Sequence, residues 1–225
     1  MTSPTSAGSA PKTRWGDREG RRRDILDAAR GQMADGGYLA LNMREIARGA
    51  GVSPGTLYQY FSTKEEIFAT LYAEAITAHN ERVAPLCADA TDLERFLADI
   101  ARAYLDLYAA YGRYFTMWRA VIDTGSGDAF PRALGRALRT ATLEQAELLR
   151  TTLHRLAGPD AGPDADPGAA RRLLDEPVAV TFLWTVLNGL GDHITSERRH
   201  LTPFAPDELV TFAARTLAAG LLAPA

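Results

Sequence analysis

Few side chains in this sequence are arranged for bond-making chemistry. The histidines are His79, His154, His193 and His200. His193 and Glu197 are four residues apart, with Asp192 adjacent, a spacing that can hold a metal ion. Such pairs more often serve as surface or interface contacts, and no metal site is expected. Cys87 is the single cysteine. It excludes an intramolecular disulfide framework and any zinc site built on several thiolates. No neighbour in sequence lowers its pKa, so a buried thiol is expected rather than a redox sensor. Gly49, Gly51 and Gly55 punctuate helices and form no phosphate cradle. There is no nucleophile elbow and no serine with an arranged histidine. These residues predict no enzyme and no cofactor.

The chemistry the sequence does carry is recognition, and charge points to where. Residues 1–64 hold ten Lys/Arg against six Asp/Glu, a net +4, while the whole chain of 225 residues has a net charge of -3. The imbalance suggests two modules with different partners. Hydrophobic residues make up 46%, enough to bury a core. No run is long and apolar enough to span a membrane, and no signal peptide is evident. A cytoplasmic protein without a membrane partner is expected.

Residues 1–20 read as a disordered arm, Gly/Ala/Ser/Pro-rich at first and then basic (Lys12, Arg14, Arg18). Those cations, with Arg21, Arg22 and Arg23, form either a solvated helix start or a phosphate-touching approach. Ile25, Leu26, Ala29 and Met33 fall at helical spacing, and Gly36-Gly37 ends that helix. Asn42 caps a second helix, with Glu45 at the capping-box position. Gly51 breaks it and is expected at positive φ. Ser53 caps a short third helix with Pro54 in its first turn. Ser62 caps the next, with Glu65 matching it. The second and third helices, joined by a tight turn, form a helix-turn-helix.

Long amphipathic helices follow. They are expected over Thr63–Arg82 (ended or kinked by Pro85), Asp92–Tyr111, Tyr114–Asp123, Phe130–Leu156, Ala169–Ser196 (one helix, or two meeting near Glu176-Pro177) and Asp207–Leu222. Loops are expected at 123–128 and 157–168, the second an acidic Gly/Pro segment with no binding role. No alternating strand pattern occurs. The fold class is all-α: a homeodomain-like three-helix domain over 21–66, then a helical ligand-binding and dimerisation domain over 67–225, about nine or ten helices in all.

The segment from Asn42 to Phe68 resembles the DNA-binding signature of TetR/AcrR-family transcriptional regulators. The matching residues are Ile46-Ala47, Ala50-Gly51-Val52-Ser53, Gly55-Thr56-Leu57-Tyr58, Tyr60-Phe61 and Lys64-Glu65. The resemblance implies a homodimer that binds a palindromic double-stranded DNA operator. It also implies a repressor released by a small-molecule effector in the second domain. The alternative is a regulator that activates, or works through protein contacts, without such a ligand.

Family positions map onto Pro54, Gly55, Thr56, Tyr58 and Gln59 as the groove-entering residues. Thr56 offers a hydroxyl or a methyl to a base edge, and Gln59 suits a bidentate adenine contact. Tyr58 and Tyr60 are expected on phosphate through their hydroxyls, with Lys64 and Arg44 as further backbone contacts. Leu57 and Phe61 are core, and Arg48 reads as a solvated charge.

Tyr104, Tyr108, Tyr111, Phe115 and Trp118 share a helical face, and Phe130 and Trp184 add aromatic area. Several could line a pocket, with Asn188 as a polar group that must be paired if buried. That lining suits a largely apolar or aromatic effector. Phe182, Val186, Leu190, Phe212 and Leu217 are candidates for the dimer interface, shared with the core of one subunit.

Overall fold

The computed structural model describes residues 17–123, 129–157, 174–176, 178–201 and 203–222, with 113–123, 129–138, 180 and 198 described by backbone alone. Among these residues the chain forms eight α-helices, two short 3-10 helices and no strand. The helices are α1 (Arg18–Gly36), α2 (Met43–Gly49), α3 (Pro54–Tyr58), α4 (Lys64–Asp89), α5 (Leu93–Asp123), α6 (Ala129–Leu156), α7 (Ala179–Thr195) and α8 (Pro206–Leu222). The all-α class stands. The chain divides into two units, Met1–Leu71 and Tyr72–Ala225, a few residues beyond the expected boundary.

The first unit is built by caps and a small apolar core. Asp17 caps α1, accepting from Gly20 N–H at 2.8 Å. Arg18, Glu19 and Gly20 therefore open a helix and do not belong to an arm; the rest of the expected arm, 1–16, lies outside the described residues. Ile25, Leu26, Ala29, Ile46, Ala47, Leu57 and Phe61 are buried, with α1 packed on α2 and α2 on α3. Gly37 ends α1 at φ 66, and Gly51 turns the chain between α2 and α3 at φ 68. Both lie in the left-handed region that glycine enters without steric cost.

Two capping boxes close differently from the sequence pattern. Asn42 Oδ1 accepts from the N–H groups of Arg44 and Glu45, at 3.0 and 3.3 Å. The return bond to Asn42 N–H does not come from Glu45, which pairs with Arg48. It comes from Gln32 Oε1 on α1, at 2.9 Å. At α4 the frame moves by one residue. Thr63 Oγ1 accepts from Glu66 N–H at 3.2 Å, and Glu66 reaches back to Ser62 N–H at 2.5 Å. Ser62 and Glu65 are thus not the pair. Glu65 is held instead by the Tyr38 hydroxyl at 2.6 Å.

In the second unit, α5 packs against α6, α7 and α8. The buried cluster includes Val83, Phe96, Ile100, Leu153, Leu156 and Leu221. Arg155 of α6 donates to the carbonyls of Cys87 and Ala90, at 2.7 and 2.6 Å, and so satisfies carbonyls at the end of α4. Pro85 lies inside α4 and does not end it. The expected break near Gly112 is also absent, because α5 runs unbroken to Asp123. A Cβ on Gly112 would lie 2.4 Å from the Tyr108 ring, and one on Gly191 of α7 would lie 2.6 Å from the same ring. Gly112 is there for close packing, which outweighs its weak helix propensity of about 1 kcal/mol. Of the expected loops, 124–128 and 158–168 lie outside the described residues, as do 169–173 of the helix expected over Ala169–Ser196.

Candidate nucleic-acid interface and effector-domain interior

The helix-turn-helix presents a small polar tip on a closed core. Ser53 Oγ accepts from Thr56 N–H at 3.1 Å and lies 2.9 Å from Thr56 Oγ1. Leu57 and Phe61, 0% and 1% exposed, anchor the tip from beneath. Pro54, Gly55, Tyr58 and Gln59 are exposed, as is Arg44, while Thr56, Tyr60 and Lys64 are half-buried. The first turn of α3 therefore offers the shape that a major groove admits. Thr56 Oγ1 is in hydrogen-bond contact with Ser53 Oγ, which ties the side chain to the cap of α3.

Aromatic rings organise the cations around this tip. The Arg18 guanidinium lies 5.9 Å from the Tyr60 ring centroid, and that of Arg22 lies 5.3 Å from Phe61. Lys64 Nζ stands 4.5 Å from the centre of Tyr38. Such contacts hold a cation in place without neutralising it. Tyr38 packs edge-on to Phe68, with centroids 5.2 Å apart. Burial and the Glu65 carboxylate push the Tyr38 hydroxyl well above its ordinary pKa. Burial opposes ionisation of Glu65. The Tyr38 hydrogen bond, with backbone, Thr63 and Lys64 contributions, outweighs it and holds this carboxyl below its usual value.

Inside the second unit, the aromatic stripe forms a ring-on-ring cluster. Tyr104 lies 6.0 Å from Tyr108 and 5.8 Å from Trp184 between centroids. Tyr111 meets Tyr72 at 5.6 Å. The Tyr104 hydroxyl donates to Asn188 Oδ1 at 2.9 Å, and Asn188 Nδ2 donates to the Trp184 carbonyl at 2.7 Å. Beside the cluster, α5, α6, α7 and α8 enclose an apolar cleft of about 50 Å³. That is far below the ~300–1,000 Å³ of a typical small-molecule site. Among the described residues Arg150 is the one charged residue of its lining, and it is already paired with Glu147.

The model of bacterial regulatory proteins of the tetR family matches residues 25–71, which span α1 to the first turns of α4. EthR, an HTH-type transcriptional regulator of Mycobacterium tuberculosis, is 28% identical over 96% of this chain and 92% of its own length. These matches support membership of the TetR family, most directly through residues 25–71. The chain is a TetR-type transcriptional regulator, and the proteins it matches are regulators, not enzymes. Rhizobium meliloti BetI, another HTH-type transcriptional regulator, is 42% identical over 35% of this chain. That match spans 39% of BetI's length, so the likeness is confined to part of each protein. The fold is shared with a TetR/AcrR-family regulator of Thermobifida fusca, at TM-score 0.59 and 18% identity, covering 89% and 97% of the two chains. Bacillus subtilis FadR, solved in complex with stearoyl-CoA, aligns at TM-score 0.53 and 19% identity over 88% and 98%. Among the described residues, no helix is long and apolar enough to cross a membrane.

For a TetR-family chain, the residues read from sequence fall into distinct places. Arg44, Pro54, Gly55, Tyr58 and Gln59 share the exposed head. Tyr104, Tyr108, Trp184 and Asn188 come together, whereas Tyr111 turns to Tyr72. The side chains of Phe115, Trp118 and Phe130 lie outside the described residues. Val186, Leu190 and Leu217 line the cleft within one subunit, while Phe182 and Phe212 are exposed at 57% and 60%. Glu197 lies 3.8 Å from His200.

Two residues escaped the sequence reading. Tyr38 braces α4 from a 3-10 turn, and only its long-range bond reveals it. His79, on an apolar helix face, is 1% exposed with neither ring nitrogen hydrogen-bonded among the described residues. The Ala103 backbone approaches the ring closely enough to affect its titration, but without hydrogen-bond geometry. A lone histidine on such a face carries a weak signal, since most are satisfied core residues.

Proposed function

We propose that this protein is a repressor that binds palindromic DNA as a homodimer and is released by a small, largely apolar effector. The observation that carries this reading is the exposed tip of α3. Pro54, Gly55, Tyr58 and Gln59 reach solvent while Leu57 and Phe61 lock the helix onto its core. Gln59 reads adenine, the Thr56 methyl meets thymine, and Tyr58, Tyr60, Lys64 and Arg44 take phosphates. Few cations serve each head, so useful affinity comes from two heads on one operator. Exposed Phe182 and Phe212, costly to leave in water, support a second copy as the cover of α7 and α8. Catalysis has no part in this function.

Binding-site selection from random duplex DNA, at about 0.15 M salt so that the phosphate contribution is defined, tests the proposal. A recovered palindrome, with Gln59→Ala relaxing one position in each half-site, is the expected result. A folded dimer that selects no motif would sink it. The closed cleft favours a second reading, a regulator working through protein contacts without a small ligand. Operator binding unchanged by every compound tested would support that alternative.

A further inference from the structure

Three buried side-chain atoms of the second unit have no hydrogen-bond partner among the described residues: both ring nitrogens of His79, and Oδ1 of Asn80. They are adjacent on α4. Native interiors seldom leave such atoms unpaired, and each one calls for a specific explanation. Asn80 is fixed at its other end, where Nδ2 donates to the Ala141 carbonyl of α6 at 3.0 Å. Its oxygen therefore cannot exchange places with its nitrogen without losing that bond. The His79 ring stands edge-on to Tyr104, with centroids 6.3 Å apart. Tyr104 meets Trp184, and Trp184 lines the apolar cleft. A row of side chains thus leads from the cleft wall to the unpaired ring of His79. Along that row the Tyr104 hydroxyl and the Asn188 amide already have partners. His79 and Asn80 Oδ1 keep their bonding capacity.

We propose that His79 is the specificity-determining polar contact for the effector, and that it selects an uncharged hydroxyl carried on an apolar body. This rests on the ligand-responsive reading above. Burial holds the imidazole below its ordinary pKa, with Arg82 acting in the same sense and the Ala103 backbone and Asp106 opposing. A neutral imidazole has one N–H to donate and one lone pair to accept with. A hydroxyl suits either group: it can donate to the bare ring nitrogen or accept from the ring N–H, whichever faces it. A carboxylate has no proton to give, and an ammonium has no lone pair. Either ion would also lose its hydration in an apolar interior. The ligand body would lie along the apolar cleft that Trp184 lines.

The test compares three compounds of one chain length, 1-decanol, decanoate and decylamine, by calorimetry on the full-length protein at neutral pH. His79→Phe keeps an aromatic ring and removes both nitrogens; His79→Gln keeps a donor and an acceptor. The native protein is expected to bind 1-decanol at least about tenfold tighter than either ion, the scale of one buried hydrogen bond. His79→Phe should lose that preference, and His79→Gln should retain most of it. In the protein labelled with 15N-histidine, 1-decanol should shift the His79 ring resonances, a response that a purely structural histidine would not give. Equal 1-decanol binding by all three proteins, or a preference for decanoate, overturns the role of His79 and leaves a ligand-responsive regulator standing. No saturable binding by any of the three compounds overturns both.

Discussion

The Tyr38 hydroxyl donates to Glu65 Oε1 across 27 residues of sequence, at 2.6 Å. This bond ties the 3-10 turn after α1 to the first turn of α4, and the Tyr38 ring underlies Lys64 from the same position. Tyr38→Phe keeps the ring and deletes the bond. It should cost about 1–2 kcal/mol, the low end for a hydrogen bond to a charged group because both partners are only half-buried, read from the urea midpoint at pH 7. Glu65 titrates lower in the folded chain than in the unfolded one. Its stabilisation is therefore complete above the unfolded carboxyl pKa of about 4.3 and lost as pH falls through the folded value. The gap between native and Tyr38→Phe proteins should narrow over that acid range.

Thr63 and Ser62 offer a second contrast. Thr63→Ala removes the oxygen that accepts from Glu66 N–H and should cost about 1 kcal/mol of stability. Ser62→Ala leaves its backbone N–H bonded to Glu66 and should be close to neutral. Equal losses in thermal unfolding would show the cap to lie one residue earlier.

His79 makes stability depend on pH near neutrality. Its folded pKa lies below the ordinary value of about 6.5. The unfolded chain takes up the proton first, so stability holds above that pH and falls as pH drops through the folded value. His79→Phe should flatten this part of the profile, measured as urea midpoints at pH 7.5 and 5.5. A slope unchanged by the substitution would assign it to other groups.

The Tyr108 ring between Gly112 and Gly191 sets a steric test. Gly112→Ala places a methyl against the base of the ring, not its mobile end. Overpacking of this kind typically costs about 1–3 kcal/mol. Gly191→Ala should behave alike, and Tyr108→Leu should relieve both, as a double-mutant cycle in thermal unfolding would reveal.

The reading head was legible because its signals are local. Asn42, Gly51 and Ser53 act within a few residues of themselves, and Leu57 and Phe61 fall where a buried face must be. The sequence reading failed where a distant side chain decides. Two capping frames compete at α4, and the bond from Tyr38 to Glu65 accompanies the one in which Thr63 and Glu66 pair. Gly112 reads as a breaker until the Tyr108 ring is placed over it, and Pro85 until α4 is seen to continue past it. In the second unit the aromatic stripe was visible, but whether its rings line a space or fill one depends on α7. The unpaired state of His79 belongs to the packing and leaves no trace in spacing.

Gln32 completes the start of α2 from another helix. With seven residues, α2 is too short to persist alone, since helix nucleation is costly and isolated helices below about 12–15 residues are marginal in water. Its Asn42 backbone N–H gains a protein partner only once α1 has docked. The five-residue α3 depends in turn on Leu57 being covered. The reading head therefore forms cooperatively, in one step with α1. A peptide spanning α2 to α3, excised or grafted elsewhere, would carry the recognition residues without the shape that lets them read.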